Sequence, residues 1–342
     1  MSFSVGIVGL PNAGKSTLFK ALTKKSVEIA SYPFTTISPN IGEVPVPDPR
    51  LKEIAKIVNP QKITPTTIKF IDIAGLVKEA HKGEGLGNQF LAQIRECNII
   101  LEVVRDFKNL KVEHIEKSID PQRDIEIIKM ELILKDLETT EKILEKLEKK
   151  VKSDNKEAKK KQEVLLRIKK TLSQGKKISE MNLKPEEESL IKEFRFLTQK
   201  PVIYLLNTDD KVLLNPNTLK LNLKLEEEIS ELSREEIKEL GVKSNLDYLI
   251  RACYNVGDLI TFFTIAGGKE VRAWSIKKNS SIIEAAKKVH SDFQEKFIKG
   301  EVISWQELVK ISSWNKAKET GQLKIVGKDY KVKDGDVIEF KI

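Results

Sequence analysis

Nine consecutive residues near the start of the chain could hold phosphate. Gly9-Leu10-Pro11-Asn12-Ala13-Gly14-Lys15-Ser16-Thr17 fits the spacing G-x-x-x-x-G-K-[ST]. Glycines at those positions let the backbone curl, so that successive N–H groups point inward at an anion. A helix beginning at the lysine adds the positive end of its dipole. Lys15 then supplies a point charge to the β- and γ-phosphates, and the Ser16 hydroxyl a ligand for Mg²⁺. The motif is informative only between a strand and a helix. An apolar run, Phe3–Leu10, precedes it, and the amphipathic stretch Thr17–Leu22 follows.

Two further groups fit the same chemistry. Asp72-Ile73-Ala74-Gly75 ends another apolar run. A carboxylate at a strand end beside the loop is placed to hold Mg²⁺, and the Gly75 N–H to meet the γ-phosphate. Ser31-Tyr32-Pro33-Phe34-Thr35-Thr36 lies between the two motifs, and a threonine hydroxyl there would complete the metal shell. Ras-like enzymes follow the Asp-x-x-Gly with a glutamine that orients water. This chain has Leu76, which cannot, so hydrolysis is slow or another group assists it.

The base-reading segment is expected after the run Pro201–Leu206, at Asn207-Thr208-Asp209-Asp210. Guanine-specific sites read N-K-x-D there, with the lysine stem against the base and the aspartate accepting from guanine N1–H and the 2-amino group. Thr208 replaces the lysine and Asp210 keeps the carboxylate. A buried bidentate contact of that kind discriminates strongly between bases. Asp210 therefore leaves guanine readout open.

The elements that must position these groups are short β-branched runs, Ile68–Ile73, Asn98–Val104 and Pro201–Leu206, alternating with helical stretches. That alternation predicts an α/β domain with a mostly parallel sheet. Between Glu141 and Lys170 the texture changes, with 11 Lys and 1 Arg against 5 Glu and 1 Asp. Met130, Ile133, Leu137, Leu144, Leu147 and Val151 step by three and four, with Thr140 in the gap. After Ser153-Asp154-Asn155 the step resumes at Leu165, Ile168 and Leu172. This predicts an antiparallel helical hairpin with a coiled-coil seam. Its charges form either a solvated face or a basic arm for phosphate backbone. From Leu259 a small α+β module is expected, with strands at Glu270–Ile276, Leu323–Val326 and Val337–Ile342 and a helix at Ser281–His290. Trp274, Trp305, Trp314 and several phenylalanines read there as core, with stacking on RNA bases as the alternative.

Composition bounds the rest. The 342 residues carry 60 basic and 51 acidic side chains, a net charge of +9. No run of 18 apolar residues suits a membrane span, and no leader pattern opens the chain. With two cysteines, Cys97 and Cys253, a disulfide framework is excluded and a cytoplasmic location is expected.

Longer motifs are similar to one family. They include Tyr32-Pro33-Phe34-Thr35-Thr36, Val46-Pro47-Asp48-Pro49-Arg50-Leu51, Asp72-Ile73-Ala74-Gly75-Leu76-Val77 and His81-Lys82-Gly83-Glu84-Gly85-Leu86-Gly87-Asn88. Thr261-Phe262-Phe263-Thr264, Glu270-Val271-Arg272-Ala273-Trp274 and Asp334-Gly335-Asp336-Val337-Ile338 continue the series. Together they resemble the YchF proteins of the Obg-type P-loop NTPases across nearly the whole chain.

The resemblance implies a nucleotide-binding domain over 1–124 and 199–258, a coiled-coil insertion over 125–198, and a C-terminal TGS domain over 259–342 with a ubiquitin-like β-grasp. It implies phosphate contacts at Gly9, Asn12–Thr17 and Gly75, base contacts at Asn207, Thr208 and Asp210, and Mg²⁺ at Ser16, Thr36 and Asp72. It sets Leu76 in place of the glutamine, and in addition to the catalytic Lys15 it assigns His114 an assisting role in hydrolysis. An exposed loop histidine is the alternative. Asn12 matches an asparagine linked to K⁺ use, or else it merely shapes the loop. The resemblance favours ATP over GTP, and the run Leu221-Asn222-Leu223-Lys224 departs from the family's usual base-contact segment. The implied partner is the ribosome or its RNA, with no membrane and no DNA sequence readout. The expected function is a slow Mg²⁺-dependent NTPase acting as a ribosome-associated switch. The alternatives are an RNA- or ribosome-binding adaptor with a structural nucleotide, and a GTP-specific GTPase.

Overall fold

The computed structural model describes residues 3–24, 40–73, 88–109, 112, 114–151, 156–215 and 217–342. Among the described residues, thirteen strands run in chain order as β1 (Ser4–Val8), β2 (Asn40–Pro45), β3 (Lys62–Thr64), β4 (Thr67–Asp72), β5 (Ile99–Asp106), β6 (Val202–Thr208), β7 (Leu213–Leu214), β8 (Thr218–Leu221), β9 (Leu259–Ala266), β10 (Glu270–Lys277), β11 (Lys299–Ser304), β12 (Lys324–Val326) and β13 (Asp336–Lys341). They form a seven-stranded sheet, β2-β4-β1-β5-β6-β8-β7, and a six-stranded sheet, β12-β11-β13-β9-β10-β3.

The first sheet is parallel from β4 through β1, β5 and β6 to β8, with β7 antiparallel at the edge. Its central strands β1 and β5 are buried on both faces, as in a parallel sheet covered by helices. Every residue of β1 is buried. The register sets Ile7 beside Asp72 and Val8 beside Glu102. The phosphate loop and Asp72 therefore leave the same edge of the sheet, as α/β ligand sites do.

A long helix, Pro121–Val151, and its partner, Lys156–Ser173, form the hairpin. Ile133, Leu144, Val164, Leu165, Ile168 and Leu172 are buried in its seam, and Leu137 and Leu147 pack against them. At about 1.5–3 kcal/mol for each fully buried Leu, Ile or Val, the seam holds the pair together despite its charge. Thr140 fills its place in the seam fully buried, its hydroxyl donating to the Asp136 carbonyl at 2.7 Å. Met130 differs from expectation: it is 40% exposed and stands off the seam. The Ser153-Asp154-Asn155 break lies outside the described residues.

By contacts, the chain divides into two compact units. One comprises Met1–Glu43 and Lys69–Leu246, the other Val44–Ile68 and Asp247–Ile342. The sequence boundaries kept residues 44–68 and 247–258 with the nucleotide-binding domain; contacts group them with the C-terminal part. The cause is long-range packing. Leu51 and Ile54 of the helix Pro49–Val58 share a core with Phe263, Val271, Ile303 and Val337, and β3 pairs in parallel with β10. Asp48 caps that helix with Pro49 in its first turn, a favourable start. In the second unit β9 and β10 form an antiparallel hairpin, and β13 runs parallel to β9. Ser281 and Ser304 begin helices with capping boxes to Glu284 and Glu307. Phe262 and Phe263 are fully buried and Trp305 and Trp314 pack against the core, as the core reading expects. Among the described residues, no helix is long and apolar enough to cross a membrane.

Candidate nucleotide-binding site

The loop after β1 has the backbone its spacing demands. Gly9 has φ 145°, and a Cβ there would lie 2.2 Å from the Val103 carbonyl oxygen. Gly14 has φ 107°, and a Cβ would lie 2.5 Å from Asn207 Nδ2. Side chains at either position are excluded twice, by conformation and by space. Asn12 sits left-handed at φ 61°, a region asparagine tolerates better than most residues. The helix Lys15–Lys24 begins at the loop's end, its first N–H groups open to an anion.

A cleft of about 740 Å³ opens over this loop. Asn12, Gly14, Lys15, Ser16 and Thr17 line one side. Lys15 is 6% exposed, and its Nζ donates to the Leu10 carbonyl at 2.7 Å. Burial lowers its pKa to about 8, and the negative charge of Asp72 opposes that shift. Asp72 is 5% exposed at the end of β4. The site thus holds a cation that gains by acquiring anionic partners. Ser16 is exposed at the helix start. Its hydroxyl and the Asp72 carboxylate are hard oxygen donors, the type Mg²⁺ selects, so the residues present fit that ion. Thr36, Gly75 and Leu76 lie outside the described residues.

Asn207 ties the site together. It is 8% exposed, its Nδ2 donates to the Ala13 carbonyl at 3.1 Å, and its Oδ1 accepts from the Leu223 amide at 3.1 Å. Thr208 is buried, and its Oγ accepts from the Asp210 amide at 3.1 Å. Asp209 and Asn207 line the cleft, with Asn222 and Lys224 beyond them. Asp210 is not among the lining residues, although the sequence singled it out. Asn222 caps the helix Leu223–Glu231 by accepting from the Leu225 amide.

A further wall of the cleft was missed by motif reasoning. Phe107, Lys108, Asn109 and Val112 line it. Arg105, 3% exposed, shapes that wall from beneath. Its guanidinium donates to the carbonyls of Phe107 at 3.4 Å, Asn109 at 3.2 Å and Val112 at 2.9 Å, and lies 4.6 Å from the Phe107 ring centroid. The signal was an arginine closing the apolar run Ile99–Val104. A buried arginine needs acceptors, and a following loop supplies them.

His114 is neither exposed nor among the cleft-lining residues. Its side chain is 5% exposed, and Nε2 lies 2.8 Å from Asp124 Oδ2. Nδ1 accepts from the Glu116 amide at 3.1 Å, which leaves the Nε2 hydrogen for Asp124. Arg123 holds the other oxygen of Asp124 at 2.8 Å.

A family model described as 50S ribosome-binding GTPase matches residues 4–208, and one described as YchF-GTPase_C, a protein of unknown function, matches residues 259–342. The ribosome-binding ATPase YchF of Haemophilus ducreyi is 45% identical over 361 residues, covering 100% of this chain and 99% of that protein. The chain belongs to the YchF family. The YchF protein of Bacillus subtilis is 42% identical over 364 residues, with the same coverage. The solved Schizosaccharomyces pombe YchF GTPase matches with a TM-score of 0.86 and 34% identity, covering 99% of this chain and 98% of that one. The family resemblance read from the motifs is thereby borne out, and the YchF match covers both units. The α/β P-loop NTPase fold and the C-terminal YchF domain are both present.

Proposed function

We propose that this chain is a Mg²⁺-dependent P-loop nucleoside triphosphatase that prefers ATP and acts as a nucleotide-dependent switch on the ribosome. The observation that carries the reading is Lys15, a buried cation at the floor of a cleft, with its pKa lowered to about 8 and only the charge of Asp72 opposing the shift. A triphosphate supplies the charge that site lacks. In the cleavage of ATP, water attacks the γ-phosphorus, the bond to the β-phosphate oxygen breaks, and ADP and phosphate leave. Charge gathers on the γ-oxygens, and Lys15 with the loop amides of Asn12–Thr17 and Gly75 stabilises it. Ser16, Thr36 and Asp72 are the residues that would hold Mg²⁺, which when bound supplies further neutralisation of phosphate charge. Leu76 offers no hydrogen bond to water, so intrinsic turnover is slow.

Three observations favour adenine. Thr208 provides no long stem to pack on a base. It is buried and bonded to its own loop. Asp209, and not Asp210, is among the residues lining the cleft, which is support against a guanine contact from the Asp210 carboxylate. The remaining assignments follow the family: K⁺ at Asn12, an assisting role for His114, and a TGS function for the C-terminal domain.

The ribosome enters through relatives whose names state ribosome binding. The basic hairpin is the part of the chain with charge suited to an RNA backbone. Sedimentation with ribosomes in ATP, in ADP and without nucleotide tests the switch, with Lys15→Ala alongside. The switch reading requires binding that differs between ATP and ADP and a difference that Lys15→Ala erases. Equal binding in all conditions would instead favour an adaptor with a structural nucleotide.

A further inference from the structure

We propose that a second cavity, backed by Glu102 in the first unit, binds a linear polyamine through its ammonium groups. The cavity has a volume of about 590 Å³ and shares no lining residue with the phosphate cleft. Tyr204 and Thr218 line it from the sheet, Asp120 and Glu126 from the start of the helix Pro121–Val151, and Lys177 and Glu180 from the turn after the hairpin.

Glu102 lies directly behind this lining. In the strand registers Glu102 sits beside Tyr204, and Tyr204 beside Thr218. Cross-strand neighbours share a face, so the Glu102 side chain rises on the side the cavity occupies. The charges acting on its carboxyl are Lys177, Asp124 and Glu126, two of which line the cavity. Glu102 is 3% exposed, and among the described residues its Oε1 has no hydrogen-bond partner. A buried acceptor left in that condition is costly, and one aimed into a polar cavity is a place for a donor.

The lining selects the donor. Carboxylates there outnumber cations, and Lys129, one of the cations, is already paired with Glu126 at 3.2 Å. Asp120 accepts from the Arg123 amide at 3.1 Å. Against Lys129 and Lys177, the carboxylates of Asp120, Glu126 and Glu180 leave the lining negative, and Glu102 adds a further charge when ionised, which disfavours an anionic ligand. Ile125, Leu206 and the Tyr204 ring supply apolar surface in the same lining. A chain of methylenes with ammonium groups matches both features.

Binding carries a proton signature. Burial pushes the Glu102 carboxyl up to about 8, so the free protein holds it protonated near neutral pH. An ammonium ion favours the carboxylate, so binding releases a proton and strengthens as pH rises through about 8. The groups facing Glu102 are Lys177, Asp124 and Glu126, with Tyr204 beside it and His114 joined to Asp124.

The test is calorimetric titration of spermidine into the full chain with the phosphate cleft filled by Mg²⁺ and ADP. Two buffers of different ionisation enthalpy read the proton. The wild type is expected to bind one spermidine saturably in the submillimolar range with proton release at pH 7. Glu102→Gln is expected to weaken binding at least tenfold and to abolish the proton release. Thr218→Lys, which puts a cation into the cavity from a half-buried strand position, is expected to block it. Thermal melts verify that each variant folds. Absence of saturable binding, or wild-type affinity retained in Glu102→Gln or in Thr218→Lys, overturns the proposal.

Discussion

Asn207 donates from Nδ2 to the carbonyl oxygen of Ala13 at 3.1 Å, joining β6 to the phosphate loop across 194 residues of sequence. The same side chain accepts the Leu223 amide. One asparagine therefore fixes both the loop that meets phosphate and the helix start behind it. Asn207→Ala is expected to cost about 1–3 kcal/mol of stability in urea denaturation, because two buried backbone groups lose their partner. Nucleotide affinity is expected to fall at least tenfold in the same variant. Asn207→Asp should not rescue it, since a carboxylate cannot donate to Ala13.

Lys15 predicts a pH dependence of opposite sense for stability and for binding. Its folded pKa, about 8, lies below the ordinary 10.5. Between those values the unfolded chain holds a proton that the folded chain has lost, so stability of the nucleotide-free protein rises with pH across that window. Below pH 8 the penalty for a charged Lys15 is fully present. Lys15→Met is therefore expected to be more stable near pH 7 by about 1–3 kcal/mol, with the difference shrinking toward pH 10.5. Nucleotide affinity of the wild type, in contrast, is expected to fall as pH rises past about 8, with proton uptake on binding. Denaturation and calorimetry across pH 6–11 check both slopes.

Asp136 anchors the hairpin. It is fully buried, and it accepts from the Leu197 amide at 3.0 Å, the Thr198 amide at 2.7 Å and the Thr198 hydroxyl at 2.8 Å. Arg95 stands 3.8 Å away. Burial alone raises the pKa of this carboxyl, and the hydrogen bonds oppose that. Asp136→Ala is expected to cost about 3–5 kcal/mol, since it strips buried donors of their partner. Differential hydrogen exchange is expected to show lost protection in the helix Pro121–Val151 and at Leu197–Thr198.

Local chemistry was legible in the sequence where spacing along the chain settles it. The glycines and Lys15 of the phosphate loop, the strand before them and the seam at Ile133, Leu144, Leu165 and Ile168 are all set by neighbours a few residues away. What was not legible depends on distant contacts. Nothing local tells that Leu51 and Ile54 pack with Phe263 and Val271, so the segment 44–68 read as part of the domain around it. The N-x-x-D pattern drew attention to Asp210, yet Asp209 lines the cleft. The direction of a side chain in a turn is set by backbone geometry that spacing does not encode. Arg105 and Glu102 left a usable signal, since charged residues inside an apolar strand demand partners. A histidine with its partner ten residues on, as in His114 and Asp124, left none.

Arg50 joins the segment 44–68 to the C-terminal part within the second unit. It holds Asp48 through Nε at 2.9 Å and Nη2 at 2.8 Å, and Asp334 through Nη1 at 2.6 Å. Asp334 also accepts the Thr261 amide at 2.9 Å. Arg50→Ala is expected to cost about 1–3 kcal/mol, because Asp48 is left with its charge largely buried. The Asp334 side chain is 50% exposed, so its pair with Arg50 is worth about 1 kcal/mol or less. Asp334→Asn should therefore be mild, since the amide oxygen still accepts from Thr261. A double-mutant cycle measured by thermal denaturation separates the two contacts.

The phosphate site is proposed to prefer adenine. Its most direct test is calorimetric titration of the nucleotide-free protein with Mg²⁺ and a non-hydrolysable analogue of ATP or of GTP, with Asp210→Glu alongside. The expected result is tighter ATP binding by tenfold or more, about 1.4 kcal/mol, unchanged in Asp210→Glu. Tighter GTP binding that is lost in Asp210→Glu would contradict it, and would place Asp210 on the base.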